Sequence, residues 1–290
     1  MSELETSPDG HDETSPAEQR GGATSVALLE LARSIAVQAA EFAREARLGG
    51  VSVATTKSSP VDIVTAVDRD TEALIRRLIL DARPDDGILG EEDATLVGTS
   101  GIDWVVDPID GTVNFLYDMP AWAISIAVVD GPPDPESWTA RAGVVVNPST
   151  GEVFEASAGG GARLNGAPLQ VNTGVPLSHA LVGTGFSYSA EARRAQAEVL
   201  LTLLPRARDI RRVGSAALDL CAVAAGRLDA YYERGLNPWD QAAGALIAHE
   251  AGARVAGPAG GAATFELTVA AAPSLYEELA ATLREAGLNA

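Results

Sequence analysis

The stretch that most restricts how this chain can fold is Asp103–Phe115, which reads DWVVDPIDGTVNF. Its apolar residues 104–106 predict a buried strand, which is expected to end at Pro108 because a proline nitrogen cannot donate a ladder hydrogen bond. Asp107 and Asp110 then lie on a short turn, where two carboxylates repel each other unless a cation lies between them. Hard oxygen ligands of this kind suit Mg²⁺. The same residues are also typical of a simple polar turn.

Further acidic residues occur in comparable contexts. Glu91 and Glu92 follow a short predicted strand, Asp68 opens a predicted helix, and Asp240 lies at another helix start. Each of these by itself fits a helix cap or a solvated loop. Together with the central turn, and with Lys57 upstream, their coincidence favours a metal-binding role over a set of unrelated caps and loops.

Composition restricts the class of protein. A chain of 290 residues with 46% hydrophobic residues can bury a large core. Its net charge of -19, from 21 basic and 40 acidic residues, argues against nucleic-acid binding and against docking on an anionic membrane. An anionic substrate would therefore require metal ions. No apolar run reaches the length of a membrane span, and no secretory signal is visible.

The single cysteine indicates the compartment. Cys221 lies within an apolar helical pattern and has no intrachain partner. We therefore expect a buried, unreactive thiol and a reducing, cytoplasmic location.

The order of patterns predicts the domain organisation. Residues 1–23 are predicted to be a disordered acidic N-terminal tail, because they contain almost nothing to bury. Residues 24–290 are predicted to form the folded domain, with lobes at about 24–155 and 156–290. Its strands, hairpins and helices indicate layered α/β packing. Strands are expected near 180–185, 208–213, 229–234 and 267–272, and helices near 190–204, 215–225, 240–251 and 274–286.

The chain resembles the inositol monophosphatase family, which belongs to the Mg²⁺-dependent, lithium-sensitive phosphatases. The resemblance covers residues from about 25 to 290 and rests on four segments in order. These are Lys57–Asp62 with Asp68, Gly90–Glu92, Trp104–Phe115, and Trp239–Gly244 (WDQAAG). The resemblance implies a five-layer α-β-α-β-α sandwich, as in fructose-1,6-bisphosphatase, and a metal-dependent phosphomonoesterase that is usually a homodimer.

The resemblance also implies a role for each matching residue. A first Mg²⁺ would be held by Glu91, Asp107 and the carbonyl of Ile109, and a second by Asp107, Asp110 and Asp240. Lys57, Asp68 and Glu92 would support the site or bind a third metal. Gly111 and Thr112 would bind the phosphate through their amides, and Glu91 and Thr112 would orient the attacking water. The substrate's hydroxyls would meet Gly214, Ser215, Ala216 and Glu233, with Asp110 also close to the substrate.

Two cations roughly 3.5–4 Å apart could stabilise both the attacking and the leaving oxygen of an in-line displacement. The expected reaction is hydrolysis of inositol 1-phosphate by metal-activated water. Histidinol phosphate, glycerol phosphate and fructose 1,6-bisphosphate are alternative substrates. Arg211, Arg212 and Arg234 are candidates to bind a second phosphate, whereas Glu233 favours a neutral, hydroxyl-rich leaving group.

Other readings remain. A haloacid-dehalogenase type of phosphatase carries an Asp-x-Asp-Gly-Thr loop, but this chain has one residue too many between Asp107 and Asp110. A serine hydrolase is disfavoured because the chain lacks a Gly-x-Ser-x-Gly elbow. A regulatory or binding protein that keeps the fold but catalyses little is a third reading, which a phosphate-release assay with and without Mg²⁺ would separate.

Overall fold

The computed structural model describes residues 23–50, 53–56 and 63–290. The helices are α1 (Ser25–Leu48), α2 (Ala66–Ala82), α3 (Thr112–Leu116), α4 (Ala190–Leu203), α5 (Ala216–Ala224), α6 (Pro238–Glu250) and α7 (Pro273–Glu285). The strands are β1 (Val53–Thr56), β2 (Ile63–Thr65), β3 (Gly87–Gly90), β4 (Ile102–Asp110), β5 (Ala123–Asp130), β6 (Thr139–Asn147), β7 (Glu152–Ser157), β8 (Gly161–Leu164), β9 (Ala167–Pro168), β10 (Leu181–Thr184), β11 (Asp209–Arg211), β12 (Ala230–Glu233), β13 (Arg254–Ala256) and β14 (Thr268–Ala271).

Two large sheets organise the described part of the chain. The first has seven strands in sequence order from β3 to β9, of which β3 and β4 are parallel and all later neighbours are antiparallel. The second has the order β11-β10-β12-β14-β13, with β10 parallel to both β11 and β12. A separate antiparallel pair joins β1 to β2.

The helices form three layers around these sheets. α1 and α2 pack on one face of the seven-stranded sheet, and α5 and α6 lie between the two sheets. α7, with α4 beside it, covers the outer face of the five-stranded sheet. This order gives α-β-α-β-α layers, so the predicted five-layer sandwich is confirmed.

The central strand carries the main correction to the sequence prediction. β4 does not stop at Pro108 but continues to Asp110. Its register shifts between the Asp107–Ser125 and Asp110–Ala123 pairs, so that β4 contains one more residue than β5 there. Such a bulge leaves a residue without a ladder bond, and it therefore accommodates the proline.

The other predicted strands and helices lie within one or two residues of their observed bounds. The N-cap of α1 is Thr24, whose side chain accepts a hydrogen bond from the amide of Ala27 at 3.2 Å. Ser25 accepts from Arg141, which ties α1 to β6.

The predicted tail and lobes stay predictions. Residues 1–22 of the tail lie outside the described residues. The seven-stranded sheet continues past residue 155 through β7, β8 and β9. Within the described residues, no helix is both long and apolar enough to cross a bilayer. Cys221 is buried, and burial raises the pKa of its thiol well above the usual range.

Candidate metal and phosphate site

A cavity of about 220 Å³ lies where the end of β4 meets the starts of three helices. α3 follows β4 directly at the edge of the seven-stranded sheet, whereas α5 and α6 begin in the helical layer between the two sheets. The end of β12 and the loop after β10 complete the wall. Eleven of the residues predicted for the site line this cavity: Glu91, Asp107, Ile109, Asp110, Gly111, Thr112, Gly214, Ser215, Ala216, Glu233 and Asp240.

Three carboxylates form the centre of the cavity. Asp107, Asp110 and Asp240 each contribute one oxygen, and these three oxygens lie within 4.8 Å of one another. Asp107 is 1% exposed and Asp110 is 8% exposed. The bulge in β4 explains how residues three apart in a strand reach one place. Regular alternation would direct them to opposite faces, and the additional residue reverses that.

The cluster is electrostatically unfavourable by itself. Burial raises the pKa of Asp107 well above its ordinary value, and the charges of Glu91, Asp110 and Asp240 raise it further. Asp240 behaves in the same way, since burial and the charges of Glu91 and Asp110 raise its pKa. Carboxylates in such a place are protonated or need a nearby cation to stay charged.

Asp110 is the best supported of the three. Its Oδ2 accepts a hydrogen bond from the Ser215 hydroxyl at 2.5 Å and from the Ala217 amide at 2.8 Å. Both donors belong to the first turn of α5, where Ser215 is also the N-cap. Burial raises the pKa of Asp110 to about 6, and these hydrogen bonds limit the rise.

Asp240 is positioned by the start of α6. The Asn237 amide donates to its Oδ2 at 2.6 Å, as in a capping box. Pro238 occupies the first turn of α6, where the missing amide proton costs nothing. The carboxylate therefore has a fixed orientation toward the cavity.

One wall of the cavity is the turn from β4 into α3, Gly111–Thr112, which we call the phosphate turn because the family resemblance predicts that it binds phosphate. Gly111 has φ 96°, and a Cβ there would lie 3.0 Å from the Ala121 carbonyl oxygen. The turn therefore favours glycine. The Thr112 hydroxyl lies 3.1 Å from both Asp68 Oδ1 and the Ile109 carbonyl oxygen. The hydroxyl has a single proton, which it can donate to either of these two acceptors.

Glu233 occupies the opposite wall. Tyr231 donates to its Oε2 at 2.5 Å. Burial raises the pKa of Glu233 to about 7, while the Tyr231 hydrogen bond and the charge of Arg212 limit the rise. A Cβ at Gly185 would overlap the Glu233 carboxylate, so glycine at 185 makes room for it.

Among the predicted site residues that the structure describes, Asp68 and Glu92 do not line the cavity. Asp68 caps α2 by accepting from the Thr65 amide at 2.9 Å, and it contacts the phosphate turn through Thr112. Glu92 directly follows the lining residue Glu91 in the chain. Lys57 lies outside the described residues.

The sequence analysis did not identify several residues that support or line the cavity. Glu72 is fully buried in α2 and accepts from the amides of Glu92 and Asp93 at 2.8 and 3.1 Å, which fixes the Glu91 loop. Asn114 donates to the Ala121 and Val213 carbonyls, so it joins the phosphate turn to the α5 loop. The loop at 186–188 also lines the cavity. Its position directly after a parallel strand was a usable signal, because ligands bind at the carboxyl ends of such strands.

The residues fit a hard divalent cation. The donors are carboxylate oxygens of two buried residues and one half-buried residue, and positive charge would relieve their mutual repulsion. Arg212 and Arg234 also line the cavity, but two single charges do not balance five carboxylates. Mg²⁺ prefers oxygen ligands of this type.

Comparison with known proteins gives a consistent result. The profile of the inositol monophosphatase family matches residues 26–288. The inositol-1-monophosphatase SuhB of Mycobacterium tuberculosis is 48% identical over 277 residues, covering 89% of this chain and 93% of that protein. The Nus factor SuhB of Vibrio cholerae is 38% identical over 242 residues, which cover 82% of this chain and 88% of that protein. The solved structure of Mycobacterium tuberculosis SuhB superimposes with a TM-score of 0.78 at 44% identity. The match covers 93% of this chain and 100% of that structure's chain.

Proposed function

Because the chain belongs to the inositol monophosphatase family, we propose that it is a Mg²⁺-dependent phosphomonoesterase whose first substrate is inositol 1-phosphate. The observation that carries this proposal is the convergence of Asp107, Asp110 and Asp240 within 4.8 Å, beside the Gly111–Thr112 turn. The reaction converts a phosphate ester and water into an alcohol and inorganic phosphate.

The acidic residues hold the metal in this proposal. Glu91, Asp107, Asp110, Asp240 and the Ile109 carbonyl are the ligands, and two or three Mg²⁺ ions share them. When bound, Mg²⁺ acts as a Lewis acid that neutralises charge developing on the phosphoryl oxygens and favours ionisation of water.

The chain's own residues then orient the reactants. The amides of Gly111 and Thr112 donate to the phosphate oxygens, as amides at a helix start have no carbonyl partner within the helix. Because the Thr112 proton is directed toward Asp68 or Ile109, its lone pairs are free to accept a hydrogen bond from the attacking water. Glu91 accepts the second proton of that water, which directs its oxygen toward phosphorus.

The leaving group is recognised on the opposite wall. Glu233 accepts a hydrogen bond from a substrate hydroxyl, and the Tyr231 donor keeps its carboxylate in place. This acceptor favours a polyol such as inositol over an apolar alcohol. Histidinol phosphate, glycerol phosphate and fructose 1,6-bisphosphate are the alternatives to compare by kcat/KM.

The test is phosphate release with and without Mg²⁺ by the wild type and by Asp107→Asn. The amide keeps an oxygen that can accept from the Ile109 amide, a bond of 3.0 Å in the wild type, so the turn is retained while a charged ligand is lost. Asp70→Asn, the same change at an exposed position on α2, is the matched control. Turnover of inositol 1-phosphate by Asp107→Asn at the wild-type rate would refute the metal assignment.

The relatives named Nus factor SuhB support keeping a second candidate, a regulatory protein on the same fold with little catalysis. A wild-type protein that binds Mg²⁺ but releases phosphate from none of these esters would favour it. The homodimer and inhibition by Li⁺ stay predictions of the family resemblance, to be checked by light scattering and by assay in LiCl.

A further inference from the structure

Arg212 is a cationic side chain in the wall of the acidic cavity. Its guanidinium lies against Gly214, where a Cβ would overlap Nη1. Its charge lowers the pKa of both Asp110 and Glu233, although burial raises these two pKa values more strongly. Arg212 therefore lies between the phosphate side and the leaving-group side of the cavity.

The donors of Arg212 are not used by the described part of the chain. Arg212 is exposed and forms no hydrogen bond or ion pair with a described residue. The neighbouring Arg211 pairs with Asp209 at 2.6 Å and lies outside the cavity. Arg234 lines the cavity, but its Nε donates to the Glu266 carbonyl at 3.2 Å. Arg212 thus differs from the other two arginines in having its whole guanidinium available.

A guanidinium carries five N–H donors in a fixed plane, which matches the two oxygens of a carboxylate or a phosphate. Glu233, on the adjacent wall, accepts rather than donates. The two groups together fit a leaving group that offers both a hydroxyl and an oxyanion.

We propose that Arg212 is a specificity-determining residue, which binds a second anionic substituent on the leaving group of the substrate. The substrate class is then a hydroxylated phosphomonoester that also carries a carboxylate or a second phosphate. This inference rests on the proposed phosphatase function and refines its substrate.

The test compares three esters: inositol 1-phosphate, inositol 1,4-bisphosphate and 3-phosphoglycerate. The first lacks a second anion, and the other two carry a phosphate and a carboxylate, respectively. The variants are Arg212→Gln, Arg212→Lys and, as the matched control, Arg211→Gln. Thermal unfolding of each variant checks that it folds.

We expect Arg212→Gln to lower kcat/KM for the better of the two anionic esters about 10- to 100-fold more than for inositol 1-phosphate, mainly through KM. Arg212→Lys should restore part of that selectivity, because it keeps the charge but loses the planar fork. Whether the phosphate or the carboxylate ester shows the larger loss identifies the anion. Arg211→Gln should leave the ratio unchanged.

Equal losses on all three esters would overturn the inference, since Arg212 would then act on the phosphate that they share. No loss on any ester, or an equal change of the ratio in Arg211→Gln, would also overturn it. Failure of the proposed function is distinguishable, because the wild type would then release no phosphate from any of the three esters in Mg²⁺.

Discussion

Replacing Asp110 with asparagine should make the metal-free protein more stable, although the same change removes a proposed metal ligand. The Asp110 carboxylate is buried, and its pKa in the folded protein is about 6 against 3.8 as the ordinary value. When folding raises the pKa of a carboxyl group, that group contributes stability at pH values below its pKa in the unfolded chain. This contribution is lost as the pH rises through its pKa in the folded protein. The buried, ionised carboxylate therefore lowers the free energy of unfolding of the metal-free wild type at pH 7.5. The uncharged amide of Asp110→Asn has no such effect.

The magnitude follows from the shift. A difference of one pKa unit corresponds to about 1.4 kcal/mol, so the penalty at pH 7.5 is at most about 3 kcal/mol. The asparagine oxygen can still accept from Ser215 and Ala217, which keeps the loop attached to α5. Mg²⁺ at 100 times its Kd would stabilise the wild type by about 2.7 kcal/mol. The variant should gain much less from it.

The assay is urea unfolding at pH 7.5 and at pH 4, in EDTA and in excess Mg²⁺, with Asp70→Asn as the control for the amide substitution. In EDTA, the advantage of Asp110→Asn should be present at pH 7.5 and nearly absent at pH 4. In Mg²⁺, the advantage should shrink or reverse. Lower stability of the metal-free variant at pH 7.5, or equal stabilisation of both proteins by Mg²⁺, would refute the reasoning.

Three further predictions concern the surroundings of the carboxylates. Ser215→Ala should lower the free energy of unfolding by about 2 kcal/mol in urea titrations, since it removes both a helix cap and a donor to a carboxylate. Gly111→Ala should abolish phosphate release and destabilise the fold, whereas Gly151→Ala, also at positive φ but with open space around it, should show only the backbone strain of about 1–2 kcal/mol. Tyr231→Phe should raise the pKa of Glu233 above about 7, so its KM for inositol 1-phosphate should rise several-fold at pH 7 and less at pH 9.

The sequence predicted the strands and helices well because their apolar patterns are regular. It was wrong about the end of β4, since a proline normally ends a strand and only the pairing with β5 reveals the bulge. The bulge is also what brings Asp107 and Asp110 together, so their convergence could be expected from family resemblance but not from strand periodicity.

The supporting contacts of the site depend on tertiary structure. Glu72 resembles any helix-surface glutamate, paired four residues away with Arg76, yet it is fully buried and holds the Glu91 loop. The arginines at 211 and 212 are adjacent and chemically identical in the sequence. Only the fold shows that Asp209 engages the first and that the second lines the cavity.

The placement of α5 and α6 between the two sheets has a consequence for the order of assembly. Asp110 comes from one sheet, whereas Ser215 and Asp240 lie at the starts of helices that pack between the two sheets. These helices take their final positions only when both sheets have formed. Neither half of the polypeptide alone can complete the proposed ion-binding cluster. Magnesium should therefore lower the rate constant of unfolding and leave the rate constant of refolding almost unchanged.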